Sequence, residues 1–400
     1  MRLLSTALGL PQHRFASIHV VGTNGKSSVT RMTAALLEAH GLRAGACVSP
    51  HAERWSERVL ICGEEIGAEA FAGAVERVAR AAEAVNRGLE EGEEVTQFEA
   101  ATAASFVALA DARVDTAVVE AGLGGRLDAT NTIPSRVTVL TSVGLDHTDW
   151  LGETELEIAS EKLAVLRDQT TLVRGRVSPE VARLAERVAA EHGATLVVAP
   201  DDPGEEIQLR AAGAFQRRNF ALARVAAEAF LGEIDEARVA EVATTLTVPG
   251  RLERVAADPP TLLDAAHNAD GAVALAESLG EVSGGRPVVA CVAILADKDA
   301  RAMLAALAPA LTHLVATQLP KTGDDGPKSE DMERFSARRP SVGALELAAL
   351  AREAGVEAEA VEDFAAALAR ARELARELDG VLLVTGSHYV LAPARAALRG

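Results

Sequence analysis

Short apolar runs alternate with longer amphipathic segments along the whole chain. Residues 17–21, 116–120 and 137–143 are short, apolar and rich in β-branched side chains, which predicts buried strands. Residues 29–40 and 98–112 carry apolar side chains at helical spacing, which predicts helices. Strands that alternate with helices build parallel sheets with helices on both faces. The first half of the chain is therefore predicted to form a doubly wound, mainly parallel α/β sheet. A further strand and two helices are predicted at 44–48, 68–88 and 155–166.

A Pro-Gly pair, Pro249–Gly250, interrupts this pattern just after a predicted helix at residues 237–246. A second alternation follows it, with strands predicted at 261–264, 288–293 and 381–385 and helices at 271–279 and 300–307. We therefore predict two domains, residues 1–247 and 248–400, the second being a smaller, Rossmann-like α/β domain. The polar segment at residues 321–328 is predicted to be a surface loop.

The amino-acid composition and net charge exclude several kinds of protein. Hydrophobic residues make up 48% of the 400 residues and aromatic residues only 3%, so the core must be built mainly from Ala, Leu and Val. The net charge of −18 argues against a nucleic-acid-binding protein and against docking on an anionic membrane, although a few local cations can still attract an anionic substrate. The longest apolar run, residues 288–296, is too short to span a bilayer. Three widely spaced cysteines without a Cys-x-x-Cys pair indicate a reducing compartment, so we expect a cytoplasmic protein.

The first candidate motif is Gly-Thr-Asn-Gly-Lys-Ser-Ser at residues 22–28, between a predicted strand and a predicted helix. A glycine-rich turn at a helix start aims backbone N–H groups at a phosphate, and we expect the helix to start just after Lys26 and Ser27. Lys26 would supply a charge for the outer phosphates and Ser27 a hydroxyl near the metal. Val20 stands where the usual pattern has its first glycine, so this loop is a shorter variant. The alternative is an ordinary glycine turn that caps a helix.

Two further motifs follow predicted strands, where ligands bind in open α/β sheets. Glu120 precedes a glycine-rich segment at residues 122–131, and a carboxylate at such a strand end suits Mg²⁺, while the glycines would allow a ligand to come close. The alternative is a tight surface loop capped by Asp128. His147 follows the next strand and is either a metal ligand or a hydrogen-bonded histidine at the sheet edge.

Other candidates lie later in the chain. Lys162 falls in a predicted helix beside a glutamate, and nothing in its sequence chemistry singles it out from a solvated lysine. Asp264 and His267 follow a predicted strand and should face a crevice at its end. Arg251 lies at the predicted boundary, where it could reach a phosphate on domain closure, or it is a surface cation. Asn219 belongs to the segment 216–219, which is predicted to open a helix.

Taken together, these motifs resemble the folylpolyglutamate synthase/dihydrofolate synthase family of the Mur ligase superfamily, in the family's order over nearly the whole chain. The matching segments are 22–28, 49–51, 57–58, 96–99, 120–131, 146–147, 161–162, 219, 249–253, 264–268, 297–299 and 385–387. Three residues depart from the family pattern, Ser27 and Ala265 in place of Gly and His388 in place of Leu, and none of these changes removes a group with a direct chemical role.

The resemblance implies a P-loop-type, ATP-binding central domain followed by a Mur-ligase-type C-terminal domain. It implies that a triphosphate is held by Thr23, Asn24, Gly25, Lys26 and Ser27. It further implies that the nucleotide is contacted by Asn219, Arg251, Asp264 and His267. Of two Mg²⁺ ions, one would be bound by Ser49 and Glu120 and the second by His147. Lys162 matches a lysine that is carbamylated in the family and whose added carboxylate organises the metal site. The residues that would carry the chemistry are Lys26, Lys162, His147 and Arg251.

The resemblance also implies a pocket for the pterin side of the substrate, formed by Thr96, Phe98, Glu99, Leu127, Asp128 and Ala129. The expected activity is an acid–amino-acid ligase that uses ATP to add L-glutamate to dihydropteroate, to folates or to both, through an acyl phosphate. We expect a monomer in folate biosynthesis whose partners are these small molecules, without nucleic acid or membrane.

Three alternative functions are weighed against this one. Cell-wall Mur ligases carry a whole domain before the phosphate loop, and the 21 residues before Gly22 leave no room for it. A poly-γ-glutamate ligase is disfavoured by the segments 96–99 and 127–129. A protein that uses ATP only as a switch is disfavoured by Glu120 and His147.

Overall fold

The structure is a computed structural model that describes residues 1–320 and 340–399, so the surface loop predicted at 321–328 lies outside the described residues. The chain divides into two compact units. The first contains Met1–Arg210 and Gln216–Leu246. The second contains Ala211–Phe215 and the described residues from Thr247 onwards.

The first unit is built on an eight-stranded sheet. Its strands are β1 (Ala16–Val21), β2 (Ala44–Cys47), β3 (Val59–Ile61), β4 (Glu64–Glu65), β5 (Thr116–Glu120), β6 (Ser135–Leu140), β7 (Thr171–Arg174) and β8 (Thr195–Val198). They lie in the order β4-β3-β2-β5-β1-β6-β7-β8. The six strands from β2 to β8 in this order are parallel, and β3 and β4 form an antiparallel hairpin at one edge.

Helices cover this sheet and bury apolar clusters against it. They are α1 (Arg2–Ala7), α2 (Lys26–Ala39), α3 (Ala68–Asn86), α4 (Gln97–Asp111), α5 (Thr148–Leu151), α6 (Glu155–Leu163), α7 (Pro179–Glu191), α8 (Ala214–Leu231) and α9 (Glu236–Thr245). One cluster joins α3 and α4 to the sheet around Phe106 and Val119. Another joins α6 and α7 to it around Leu140 and Leu163. Burial of such clusters is the main favourable contribution to folding.

The second unit has a six-stranded sheet in the order β13-β12-β11-β14-β10-β9. Its strands are β9 (Glu253–Ala257), β10 (Pro260–Leu263), β11 (Val288–Val292), β12 (His313–Ala316), β13 (Glu357–Ala360) and β14 (Val381–Thr385). All pairs are parallel except β9 with β10. The helices are α10 (Ala269–Ser283), α11 (Ala300–Leu307), α12 (Ala344–Glu353), α13 (Phe364–Glu377) and α14 (Leu391–Arg399). The predicted fold class, a doubly wound and mainly parallel sheet followed by a second α/β unit, is confirmed.

Two predicted element boundaries near the phosphate loop are wrong. Helix α2 begins at Lys26 rather than after Ser27, so both side chains belong to its first turn. The strand predicted at 137–143 ends at Leu140, because Thr141 turns toward the loop and its hydroxyl donates to the Asn24 carbonyl at 2.6 Å. Among the described residues, no helix is both long and apolar enough to cross a membrane.

Candidate active site

The segment between β1 and α2 forms a tight loop at the carboxyl end of the sheet. Gly25 is the residue before the helix and has φ of +85°, a conformation that glycine adopts without steric cost. A Cβ atom there would lie 2.6 Å from Oδ1 of Asn219, so a side chain at this position would have to displace Asn219. The N–H groups of the first helical turn have no partner within a helix and, with the helix dipole, favour an anion at this end. The loop therefore has the geometry of a phosphate-binding turn.

Side chains of the loop after β6 hold this turn in place. The Asn24 N–H donates to the Ser142 hydroxyl at 3.0 Å, and the Gly144 N–H donates to the Thr23 hydroxyl at 3.1 Å. Lys26 folds back over the loop and donates from Nζ to the carbonyls of Gly22 and Thr23, both at 3.0 Å. These hydrogen bonds fix the shape of the loop and place the Lys26 amine against its backbone.

A buried carboxylate lies directly beside the loop. Glu120, at the end of β5, is only 3% exposed. Its Oε1 accepts a hydrogen bond from the Ser27 hydroxyl at 2.9 Å, and its Oε2 accepts one from the Ser49 N–H at 3.0 Å. The Ser27 hydroxyl also lies 3.4 Å from the Ser49 carbonyl oxygen. The structure therefore brings three of the predicted residues together around one carboxylate.

His147 lies elsewhere on the same sheet edge, in the loop after β6. It precedes α5 with φ of +54°, its N–H donates to Oδ1 of Asp146 at 3.0 Å, and its Nε2 lies 3.9 Å from that oxygen. Within residues 1–320 and 340–399, no cluster of three His, Cys, Asp or Glu side chains could bind a metal by itself. A divalent ion here would depend on few protein ligands, as Mg²⁺ does when it keeps waters and binds substrate phosphates.

Lys162 is the residue whose importance the sequence chemistry missed. It is 4% exposed, and its Nζ donates to the Gly22 carbonyl at 2.9 Å, next to Lys26. Burial, followed by the charge of Lys26, lowers its pKa to about 7, against the opposing charges of Asp146 and Asp128. Helical spacing could have located it, because Ile158 lies four residues before it and is also buried.

The glycine-rich segment after β5 is a loop that Asp128 ties together. Oδ2 of Asp128 accepts the Leu123 N–H at 2.8 Å, and Oδ1 accepts the N–H and the hydroxyl of Thr130 at 2.9 and 2.5 Å. The capping role considered for Asp128 is therefore present. Ala129 is buried, whereas the Leu127 side chain between these anchors is 91% exposed.

Two glycines of this loop are required by contacts within the protein, and close approach of a ligand to the loop stays a prediction. A Cβ on Gly122 would lie 2.3 Å from the Phe98 ring, and one on Gly125 would lie 2.6 Å from the Glu161 carbonyl. The groups that come close are thus the protein's own side chain and helix backbone. Phe98 is brought against the loop by this contact.

Thr96 and Glu99 form a reciprocal cap at the start of α4. The Thr96 hydroxyl accepts the Glu99 N–H at 3.2 Å, and the Glu99 carboxylate accepts the Thr96 N–H at 2.9 Å. Glu99 also pairs with the amino group of Met1. The spacing Thr-x-x-Glu is the signature of such a capping box and could have been recognised in the sequence.

The candidates of the second unit lie around Asp264, at the end of β10. Its Oδ2 accepts the Leu252 N–H at 2.9 Å and its Oδ1 accepts the Ala266 N–H at 2.8 Å, which ties the Pro-Gly-Arg turn to the strand. Burial raises the pKa of Asp264, whereas the charge of Arg251 acts to lower it. Nδ1 of His267 lies 2.9 Å from the Ala265 carbonyl, and Asn268 caps α10. Asn219, in the first unit, donates from Nδ2 to Oε1 of Gln216 at 3.0 Å.

Comparison with known proteins identifies the family. Residues 20–192 match the Mur ligase middle domain, and residues 250–388 match the glutamate ligase domain of Mur ligases. The dihydrofolate synthase/folylpolyglutamate synthase of Mycobacterium tuberculosis is 35% identical over 375 residues, which cover 83% of this chain and 75% of that protein.

Solved structures agree over nearly the full length. A Mycobacterium tuberculosis folylpolyglutamate synthase complexed with ADP has a TM-score of 0.87 and 31% identity, and the match covers 99% of this chain and 93% of that one. A bifunctional folylpolyglutamate synthase/dihydrofolate synthase with Mn, AMPPNP and L-glutamate bound has a TM-score of 0.81 and 28% identity, with 99% and 93% covered. This chain therefore belongs to the folylpolyglutamate synthase/dihydrofolate synthase family of Mur ligases.

Proposed function

We propose that this protein is an ATP-dependent ligase that joins L-glutamate to dihydropteroate, to folates or to both. The observation that carries the proposal is the joining of a phosphate-binding turn to a buried carboxylate through the Ser27 hydroxyl, which donates to Glu120 at 2.9 Å. A protein that uses ATP only as a switch and an amino-acid ligase would each need a nucleotide and a metal ion at such a site. The pairing of this site with a glutamate ligase domain favours the ligase.

In this proposal, residues 23–27 receive the triphosphate of ATP. Lys26 exchanges its two carbonyl partners for phosphate oxygens, which are stronger acceptors because they are charged. Ser49 and Glu120, which are hydrogen-bonded to each other, are proposed to hold one Mg²⁺. His147, in the loop after β6, is proposed to hold a second. Such ions neutralise the charge that develops during phosphoryl transfer. Asn219, Arg251, Asp264 and His267 are proposed to contact the nucleotide.

Lys162 is proposed to act as a carbamate. Its pKa of about 7 leaves roughly half of the amine neutral near neutral pH, and only a neutral amine can attack CO₂. The cationic form first loses one proton to give the neutral amine, and formation of the N–C bond with CO₂ releases a second, so the buried cation becomes an anion beside Lys26. This change would remove the repulsion between the two lysines and add a carboxylate that can organise the metal site.

The chemistry of ligation follows from the weak reactivity of a carboxylate. Transfer of the γ-phosphoryl group to the acceptor carboxylate gives an acyl phosphate and ADP. The amine of L-glutamate then attacks the carbonyl carbon, and phosphate leaves as the amide forms. The acceptor's pterin side is proposed to contact Thr96, Phe98, Glu99 and residues 127–129, where Leu127 presents an exposed apolar side chain.

We further propose that residues 1–247 act as the ATP-binding domain and residues 248–400 as the C-terminal domain of the ligase. Action as a cytoplasmic monomer stays a prediction.

The test is formation of ADP by the purified protein with L-glutamate and either dihydropteroate or tetrahydrofolate as acceptor. We expect turnover that requires both glutamate and one acceptor. Glu120→Gln keeps the shape of the buried group but removes its charge and one of its two acceptor oxygens, so the Mg²⁺ concentration for half-maximal rate should rise about tenfold. Glu64→Gln, an exposed change on β4, is the matched control. The proposal would be contradicted if no ADP formed with either dihydropteroate or tetrahydrofolate. An unchanged Mg²⁺ titration for Glu120→Gln would also contradict it.

A further inference from the structure

A cavity of about 690 Å³ lies in the first unit, away from the phosphate loop. It is lined by α1, by the 3₁₀ turn Pro11–His13, by residues 131–136 and by residues near Arg167. Small-molecule sites in proteins typically have this size. None of the candidate active-site residues lines it.

The register of the sheet shows how far this cavity is from the site described above. Ser135, which lines the cavity, is the first residue of β6, whereas Leu140 at the other end of β6 pairs with Val21, just before the phosphate loop. Five residues of extended strand span about 17 Å. The cavity is therefore at the amino edge of the sheet and the phosphate loop at the carboxyl edge.

The charge of the lining is the opposite of that of the protein. Arg2, Arg136, Arg167 and His13 line the cavity, and the described part of the chain contributes no Asp or Glu to its lining. The chain as a whole has 58 acidic residues and a net charge of −18, so the positive charge of this lining is opposite to that of the chain. Arg2 and Arg167 both line the cavity, and burial, followed by the repelling positive charge of Arg2, lowers the pKa of Arg167. An anion between them would relieve that repulsion.

Arg167 is held rigidly in place. Its Nη2 donates to the Asn131 carbonyl at 2.9 Å and to the Asn131 side-chain oxygen at 2.8 Å, and its Nε lies 3.3 Å from the Ile133 carbonyl. A guanidinium fixed in this way loses little conformational entropy when it binds a ligand. The cavity thus has a preorganised cation.

Three buried polar side chains of the lining also point to a ligand. Ser5, Gln12 and Ser135 are each at most 2% exposed, and Ser5 Oγ, Gln12 Oε1 and Ser135 Oγ have no hydrogen-bond partner among the residues that the structure describes. Buried polar atoms without partners are uncommon because each costs free energy. These atoms are covered in the structure, so a ligand would reach them only after their side chains turn toward the cavity. The serine hydroxyls could then donate to an anion, and the Gln12 oxygen could accept from an O–H or N–H group.

We propose that this cavity is a second ligand site, which binds a small organic anion that carries a phosphate group or paired carboxylates together with a hydrogen-bond donor. Arg2 and Arg167 bind the anionic group. Arg136 and His13 add to the positive potential, and the buried serine and glutamine side chains select the polar remainder. The site is independent of the proposed ligase activity, since it shares no residue with the phosphate loop.

Calorimetric titration of the full chain with pyrophosphate and, separately, with citrate tests the proposal. The titrations use a Lys26→Met background, which weakens binding at the phosphate loop, and a constant ionic strength. We expect saturable binding of at least one probe. Arg2→Gln and Arg136→Gln, both exposed changes in the lining, should each weaken it about tenfold, whereas Arg14→Gln, an exposed arginine outside the lining, should not.

Binding of pyrophosphate alone would assign a phosphate-bearing ligand, and binding of citrate alone a carboxylate-bearing one. Absence of saturable binding by both probes would overturn the proposal, as would equal affinity in the Arg2→Gln, Arg136→Gln and Arg14→Gln variants. Nucleotide binding measured on the wild-type protein reports separately on the ligase proposal, so failure of one is distinguishable from failure of the other.

Discussion

Substitution of Lys162 by Met should stabilise the unliganded protein at neutral pH while it abolishes turnover. Lys162 has a pKa of about 7 in the folded protein against 10.5 in the unfolded chain. Each pH unit between these values corresponds to 1.36 kcal/mol, so the folded state bears a cost of about 4 kcal/mol at pH 7 and about 2 kcal/mol at pH 9. Between pH 7 and pH 10.5 the unfolded chain holds a proton that the folded protein has lost, so the free energy of unfolding rises with pH. Methionine has no such proton.

Urea denaturation of the wild type and Lys162→Met in CO₂-free buffer measures this cost. The two tryptophans, Trp55 and Trp150, both lie in the first unit, so their fluorescence reports on the unit that contains Lys162. The stability gained by the variant should fall by about 2 kcal/mol between pH 7 and pH 9. Lys26→Met serves as the control, because removal of the repelling charge should raise the pKa of Lys162 and reduce the cost. A difference that stays constant with pH would refute the argument, and so would a variant less stable than the wild type at pH 7.

Two further substitutions test the geometry of the site, and a third tests the acid sensitivity of the buried His19. Gly25→Ala should weaken ATP binding at least tenfold in a calorimetric titration, because the new Cβ would lie 2.6 Å from Oδ1 of Asn219 in a backbone conformation with φ of +85°; unchanged affinity would contradict this. Gly122→Ala should displace the Phe98 ring and raise the KM for the acceptor several-fold in steady-state assays, with the KM for ATP unchanged; an equal change in both would point to general misfolding. Burial holds the pKa of His19 at about 3, so the wild type should lose about 1.4 kcal/mol per pH unit below pH 6.5 in urea denaturation, and His19→Gln should lose less; parallel losses would exclude this source of acid sensitivity.

Much of the sheet was predictable because its central strands are apolar and flanked by amphipathic helices. The peripheral strands were not. Strand β13 reads Glu-Ala-Glu-Ala, and β4 has only two residues, so neither shows an apolar run. Such segments become strands because a neighbouring strand supplies hydrogen bonds, a condition that lies outside any local window.

The candidate site was predictable where the chemistry is local and was missed where it depends on tertiary packing. Residues 22–28 show their loop geometry in the sequence, and Glu120 shows its strand-end position. Lys162 looks like a solvated lysine until α6 packs on the sheet and the Gly22 carbonyl receives its amine. The Gly125 position likewise depends on the approach of the α6 backbone, which no spacing within the loop reveals.

The outer strands of the two sheets differ in their resistance to aggregation. A row of unpaired backbone groups at a sheet edge is a template for a strand from another chain, and charged side chains along the edge oppose such pairing. Strand β13, at one edge of the second sheet, carries Glu357 and Glu359. Strand β8, at one edge of the first sheet, reads Thr-Leu-Val-Val and leaves Val198 52% exposed. Strand β8 therefore lacks the edge carboxylates that oppose pairing at β13. High salt, which screens the overall negative charge of the molecule, should favour self-association through β8 more than through β13.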